Sequence, residues 1–140
     1  MTFTERYTWA GLILSIATFA AYWIVVVIRA ASDVLPFAEV AWQGPTLWAL
    51  ILGGGLYALA MLVLWIRVRG EARTDARDHE IERYAATAGN GTTGVAVLAT
   101  LVMLALAAPL FWTATVLFAG SFLGSVVSTR ATLSAYRRGF

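Results

Sequence analysis

From Tyr84 to Thr129 the chain carries no Asp, Glu, Lys, Arg or His. The stretch directly before it, Arg67 to Arg83, holds five arginines and five acids. A charge at the centre of a membrane helix costs about 2.5–3.5 kcal/mol on insertion scales, so a bilayer sorts sequence into blank and charged blocks of this kind. Charged residues make up 13% of the 140 positions and hydrophobic ones 60%. An average soluble chain is about 25% charged. The expected class is all-α: a four-helix transmembrane bundle forming a single integral membrane domain over residues 1–140.

About 20 apolar residues cross the roughly 30 Å hydrocarbon core as a helix. Four segments have that length, at about 7–28, 45–66, 91–108 and 109–129. The uncharged run is too long for one span and divides at Pro109, which starts a helix but breaks a continuous one. Helices three and four are therefore expected to form a tight hairpin. The first apolar run exceeds the 7–15 residues of a signal-peptide core, and it reads as a retained span.

The arginines predict orientation. With the N- and C-termini cytoplasmic, Arg6, the five arginines of the 67–83 loop, Arg130, Arg137 and Arg138 lie inside, and only Arg29 lies outside. That nine-to-one split is a positive-inside pattern. Tyr7, Trp9, Trp65 and Tyr136 then fall at the inner headgroups, and Tyr22, Trp23, Trp42, Trp48 and Trp112 towards the outer ones. The outer loop, Ala30 to Gly44, admits two readings. A short interfacial helix dipping Phe37 and Trp42 into the leaflet is favoured over a plug packed across the helix ends.

The charged loop holds the candidate docking residues. Asp75, Arg77, Asp78, Glu80, Ile81 and Arg83 sit in a segment that reads as a helix start. Thr74 is its cap, Asp75 and Asp78 lie where the helix dipole is positive, and Arg77–Glu80 and Glu80–Arg83 are spaced to pair. Ile81, Tyr84, Ala85 and Ala88 share one face, so this helix is expected to run into the third span, with loosening at Gly89-Asn90-Gly91. One reading is a solvated, self-paired connector that fixes topology; the other is a docking surface for a cytoplasmic partner. His79 is the only histidine and reads as a surface residue, since a metal needs further ligands and no second cluster exists.

The order of spans and the string Asp75-Ala76-Arg77-Asp78 followed by Ile81 resemble a group of small uncharacterised prokaryotic four-helix membrane proteins. In that group the loop commonly reads Asp-Glu-Arg-Asp followed by an aliphatic residue. Ala76 stands here where the group has Glu, so a role for that carboxylate is absent. The resemblance implies the architecture and a multi-pass location in a prokaryotic inner or plasma membrane, and no activity.

Gly120, Gly124 and Ser128 recur every four residues, and Gly53, Gly54 and Gly55 make a second notch. In lipid, small residues let helix backbones approach closely. The two stripes are candidates for helix packing within the chain or for a homo-oligomer, a dimer above others. No nucleotide loop, nucleophile elbow or zinc-protease string is present, and the spans hold no ionisable acid, base or cation. No enzyme, catalytic residue, cofactor or metal site is therefore expected. A nucleic-acid partner is not expected either, because the arginine-dense loop is charge-balanced. The expected partners are the lipid bilayer, a second copy and a cytoplasmic protein. The leading expectation is a non-enzymatic membrane protein acting by association, with regulation passing through the charged loop. The runner-up is a small transporter, a channel or an accessory transport subunit, its pore lined by Tyr22, Tyr57, Thr100, Thr115 or Ser121.

Overall fold

The computed structural model describes residues 3–68 and 76–138, with side chains at 8–60, 62, 63, 66 and 79–136. Four α-helices account for nearly all of it: α1 (Phe3–Asp33), α2 (Gln43–Val68), α3 (Ala76–Ala105) and α4 (Leu110–Arg138). No strand occurs among the described residues. Thr8–Asp33 in α1, His79–Ala105 in α3 and Leu110–Tyr136 in α4 are each long and apolar enough to cross a membrane. Their outward surfaces are largely apolar between their ends, with Ile24, Val27, Leu98, Leu101 and Leu123 exposed. Continuous patches of that size are compatible with a lipid environment and foreign to a monomer in water.

The helices pack as an open array in the order α2–α1–α4–α3 rather than as a bundle closed on all sides. α1 touches α2 and α4, α4 touches α3, and no contact joins α2 to α3 among the described residues. Each neighbouring pair is antiparallel. Phe19 meets Phe122 while Tyr22 meets Phe118, and Gly89 faces Ser128 while Ala96 faces Gly120. The starts of α1 and α3 therefore share one end with the finishes of α2 and α4.

The expected hairpin is present, and its turn is a Schellman motif. Ala107 N–H donates to Leu104 O (3.0 Å) and Ala108 N–H to Met103 O (2.9 Å). Ala107 takes the left-handed conformation such a stop requires, with φ of 52°, a position glycine normally fills. Pro109 then opens α4, its carbonyl accepting from Trp112 and Thr113 N–H groups. α1 stops in the same way: Leu35 N–H donates to Ala30 O, Val34 has φ of 52°, and Pro36 prevents continuation.

α3 runs as one helix from Ala76 into the third apolar block, as expected, and stays helical through Gly89-Asn90-Gly91 instead of loosening there; Gly89 is buried in the α4 contact. At 30 residues the helix is about 45 Å long, which exceeds a hydrocarbon core of about 30 Å by roughly ten residues. The outer loop is not an interfacial helix. It folds across the helix ends as a plug, with Val40 buried and Phe37 stacked on Phe111 at 6.2 Å. Arg29 donates to Ala41 O at 2.9 Å and ties the loop down. Phe37 rests against Phe111, itself 1% exposed, while 38% of its own surface stays exposed.

Candidate functional site

Two places stand out, the charged end of the α3–α4 hairpin and a lateral cleft between α2 and α4.

At the hairpin end, Asp75 and Thr74 lie outside the described residues, and Arg77 and Asp78 fall in the first turn of α3 without described side chains. Glu80 and Arg83 are exposed. His79 is also exposed, and its Nδ1 lies 3.9 Å from Glu82. The expected Glu80–Arg83 pair does not form among the described residues, and the Arg77 side chain lies outside them; His79 and Glu82 are instead the i,i+3 neighbours. Ile81 does not belong to a docking surface. It is 1% exposed and, with Ala85, forms a buried patch on α3, matched on α4 by buried Thr129 and Ala135. Of the face anticipated for Ile81, Tyr84, Ala85 and Ala88, Ile81 and Ala85 are buried and Ala88 half-buried, while Tyr84 is exposed with the charged residues. No group of acids or histidines among the described residues could hold a metal ion.

The small-residue stripe of α4 is used inside the chain. A Cβ on Gly120 would strike Ala96, and one on Gly124 would strike Thr93 Oγ1 and come within 2.9 Å of Gly89 O. Ser128 is in turn the neighbour of Gly89. The face anticipated for a second copy is covered by α3, because two glycine-notched helices joined by a short turn find each other first. Gly53 makes the equivalent contact between α2 and α1, where its Cβ would lie 2.5 Å from Thr18 Cγ2. Gly54 and Gly55 meet nothing within 4 Å.

The cleft lies where α2 and α4 flank α1 without touching each other, and it encloses about 580 Å³. α1 supplies Leu14, Ser15, Thr18 and Phe19; α2 supplies Ala49, Gly53, Gly54 and Tyr57; α4 supplies Leu117, Phe118, Ser121, Phe122 and Ser125. Phe19 and Phe122 stack at 4.3 Å with ring planes 3° apart. No charged residue lines it. Ser121 Oγ donates to Leu117 O and Thr46 Oγ1 to Trp42 O. Ser15, Thr18, Tyr57 and Ser125 have no hydrogen-bond partner among the described residues.

The five hydroxyl residues anticipated as a pore lining do not share one surface. Tyr57 and Ser121 face the cleft. Tyr22 is buried against Phe118. Thr100 is buried, its hydroxyl donating to Ala96 O, and Thr115 Oγ1 is enclosed without a partner. Sequence reasoning named Tyr57 but could not group it with Ser15, Thr18 and Ser125, which come together only through the placement of three helices.

Compared with known proteins, the chain matches no family model, no curated protein and no solved structure. The fold is that of an all-α, four-helix protein with three helices long and apolar enough to cross a membrane among the described residues.

Proposed function

We propose that this chain is a non-enzymatic multi-pass membrane protein that acts by association, through the charged end of the α3–α4 hairpin. The observation that carries the reading is the continuity of α3. One 30-residue helix joins a membrane-length apolar segment to exposed Glu80, Glu82 and Arg83, while buried Ile81 locks the charged turn onto α4. A tilt of the hairpin in the bilayer therefore moves this surface as a rigid lever. α2 is the fourth span in this reading, since Pro45 to Ile66 carries no charge and its outer face, with Leu47, Ile51 and Leu59, is exposed. The nine-to-one arginine distribution supports placing the charged end in the cytoplasm of a prokaryotic cell. A second copy would meet α2 at Gly55, which is unobstructed and outside the cleft lining, rather than α4.

The test is copurification from native membranes with the double reversal Arg77→Glu and Asp78→Arg. Loss of a partner retained by wild type, with the helical content unchanged, is the expected result. Unchanged partners and phenotype would remove the docking reading. The second reading, a small transporter, channel or accessory subunit, draws support from the lateral cleft. Flux of ions or hydrophobic cations in liposomes holding only this protein would establish it, and absence of flux removes the self-sufficient version.

A further inference from the structure

We propose that the cleft between α2 and α4 is a binding site for a neutral, ring-bearing lipophile that presents oxygen acceptors and enters sideways from the bilayer. It rests on the membrane placement of α2 in the association reading but not on the docking end, so cleft labelling and partner copurification fail separately.

The argument begins with Tyr57. A Ser or Thr hydroxyl in a helix can return its proton to the carbonyl four residues back, as Thr46, Thr100, Thr113 and Ser121 do here. A phenol on a long rigid side chain has no such option. Tyr57 lies twelve residues into the apolar stretch that starts at Pro45, about 18 Å along α2. With α2 as a span, that is the interior of the membrane and not the headgroup level where Tyr finds water. Its hydroxyl has no partner among the described residues and the residue is 43% exposed, whereas Ser15, Thr18 and Ser125 around the same space keep the option of the carbonyl four residues back. Unpaired polar groups in hydrocarbon are costly, so the occupant that fits must supply acceptors. An acyl chain supplies none.

The remaining walls narrow the class. With no charged lining residue, a charged ligand would be desolvated without compensation. Phe19 and Phe122, stacked face to face, give one flat side. Gly54 gives another with no side chain in the way. A volume of about 580 Å³ falls within the roughly 300–1,000 Å³ of small-molecule sites.

The experiment uses the full chain, one copy per nanodisc of phosphatidylcholine, and benzophenone as the probe. Benzophenone is neutral, has two rings and one carbonyl, and inserts into nearby C–H bonds under light. Saturable labelling confined to the cleft segments of α1, α2 and α4, mapped by mass spectrometry, is the expected result. Gly54→Leu should abolish it, because a Cβ there meets nothing within 4 Å and the side chain fills the cleft without disturbing the fold. Gly94→Leu on α3, equally unobstructed and outside the cleft, should leave it unchanged. Tyr57→Phe should weaken apparent affinity about two- to tenfold, the effect of one lost hydrogen bond. Unsaturable labelling spread over all lipid-facing helices would overturn the proposal. So would labelling indifferent to Gly54→Leu and Tyr57→Phe, or cleft labelling that a second copy in the same disc blocks completely, which would make the cleft a protomer interface.

Discussion

Replacing Gly124 with alanine tests the contact on which the rigid hairpin depends. The added Cβ would collide with Thr93 Oγ1 and stand 2.9 Å from Gly89 O. The threonine hydroxyl can rotate away; the carbonyl, fixed in the α3 backbone, cannot. Reaching an ordinary contact of about 3.4 Å requires the helices to part by about half an ångström. A radial gap of that order forfeits about a quarter of the dispersion energy along the seam, and overpacking of this kind costs about 1–3 kcal/mol. Alanine returns up to about 1 kcal/mol through its higher helix propensity. The net expectation is destabilisation by about 1–2 kcal/mol. Gly94→Ala is the matched control: on the same hairpin its Cβ meets nothing within 4 Å, so only the propensity gain remains and stability should hold or rise. Reversible unfolding by SDS titration in mixed micelles, followed by tryptophan fluorescence, measures both. If Gly124→Ala proves as harmless as Gly94→Ala, α3 and α4 do not meet at this distance and the lever argument fails with it.

Val34→Gly should stabilise by about 1 kcal/mol in the same assay, since a β-branched residue at φ of 52° carries strain that glycine lacks; a loss of stability would show that the α1 stop is not left-handed. Ala107→Gly should act in the same direction with a smaller gain. Ile81→Ala should cost about 2–4 kcal/mol as a buried truncation, whereas Glu80→Ala and Arg83→Ala, both exposed, should stay within about 0.5 kcal/mol. Equal effects at the three positions would refute the inward placement of Ile81. Gly53→Leu should release α2 from Thr18 while leaving the α3–α4 hairpin intact. Because the chain has no cysteine, a single one introduced at Thr18 reports this as faster labelling by a membrane-permeant maleimide; an unchanged rate would contradict the close approach.

The lengths of the apolar blocks, the break at Pro109 and the hairpin were legible in the sequence because each follows from one local rule. Ile81 was legible as part of a helical face but not as buried. The same Ile81–Ala85–Ala88 spacing suits a docking helix and a packed one, and only the reach of α4 to Arg138 decides between them. The stops of α1 and α3 left no glycine to read, since Val34 and Ala107 occupy the left-handed positions. The outer loop misled because Phe37 and Trp42 have the composition of an interfacial helix, while their destination, Phe111, is some seventy residues away in sequence.

The open order of the helices has a physical cause that also produces the cleft. Lipid tails are as apolar as leucine, so no hydrophobic force closes a bundle in a membrane, and helices join where their surfaces fit. α3 and α4 fit backbone to backbone through Gly89, Gly120 and Gly124. α1 and α2 fit in the same way at Gly53. Between α1 and α4 the spacers are instead the rings of Phe19, Tyr22, Phe118 and Phe122, which hold the backbones further apart. α2 therefore lies tight against α1 but is kept from α4 by the thickness of those rings. The slot that results is bordered by rings on one side and bare glycine on the other. Filling Gly54 closes it without touching either helix contact, which is why that substitution separates a ligand site from a packing defect.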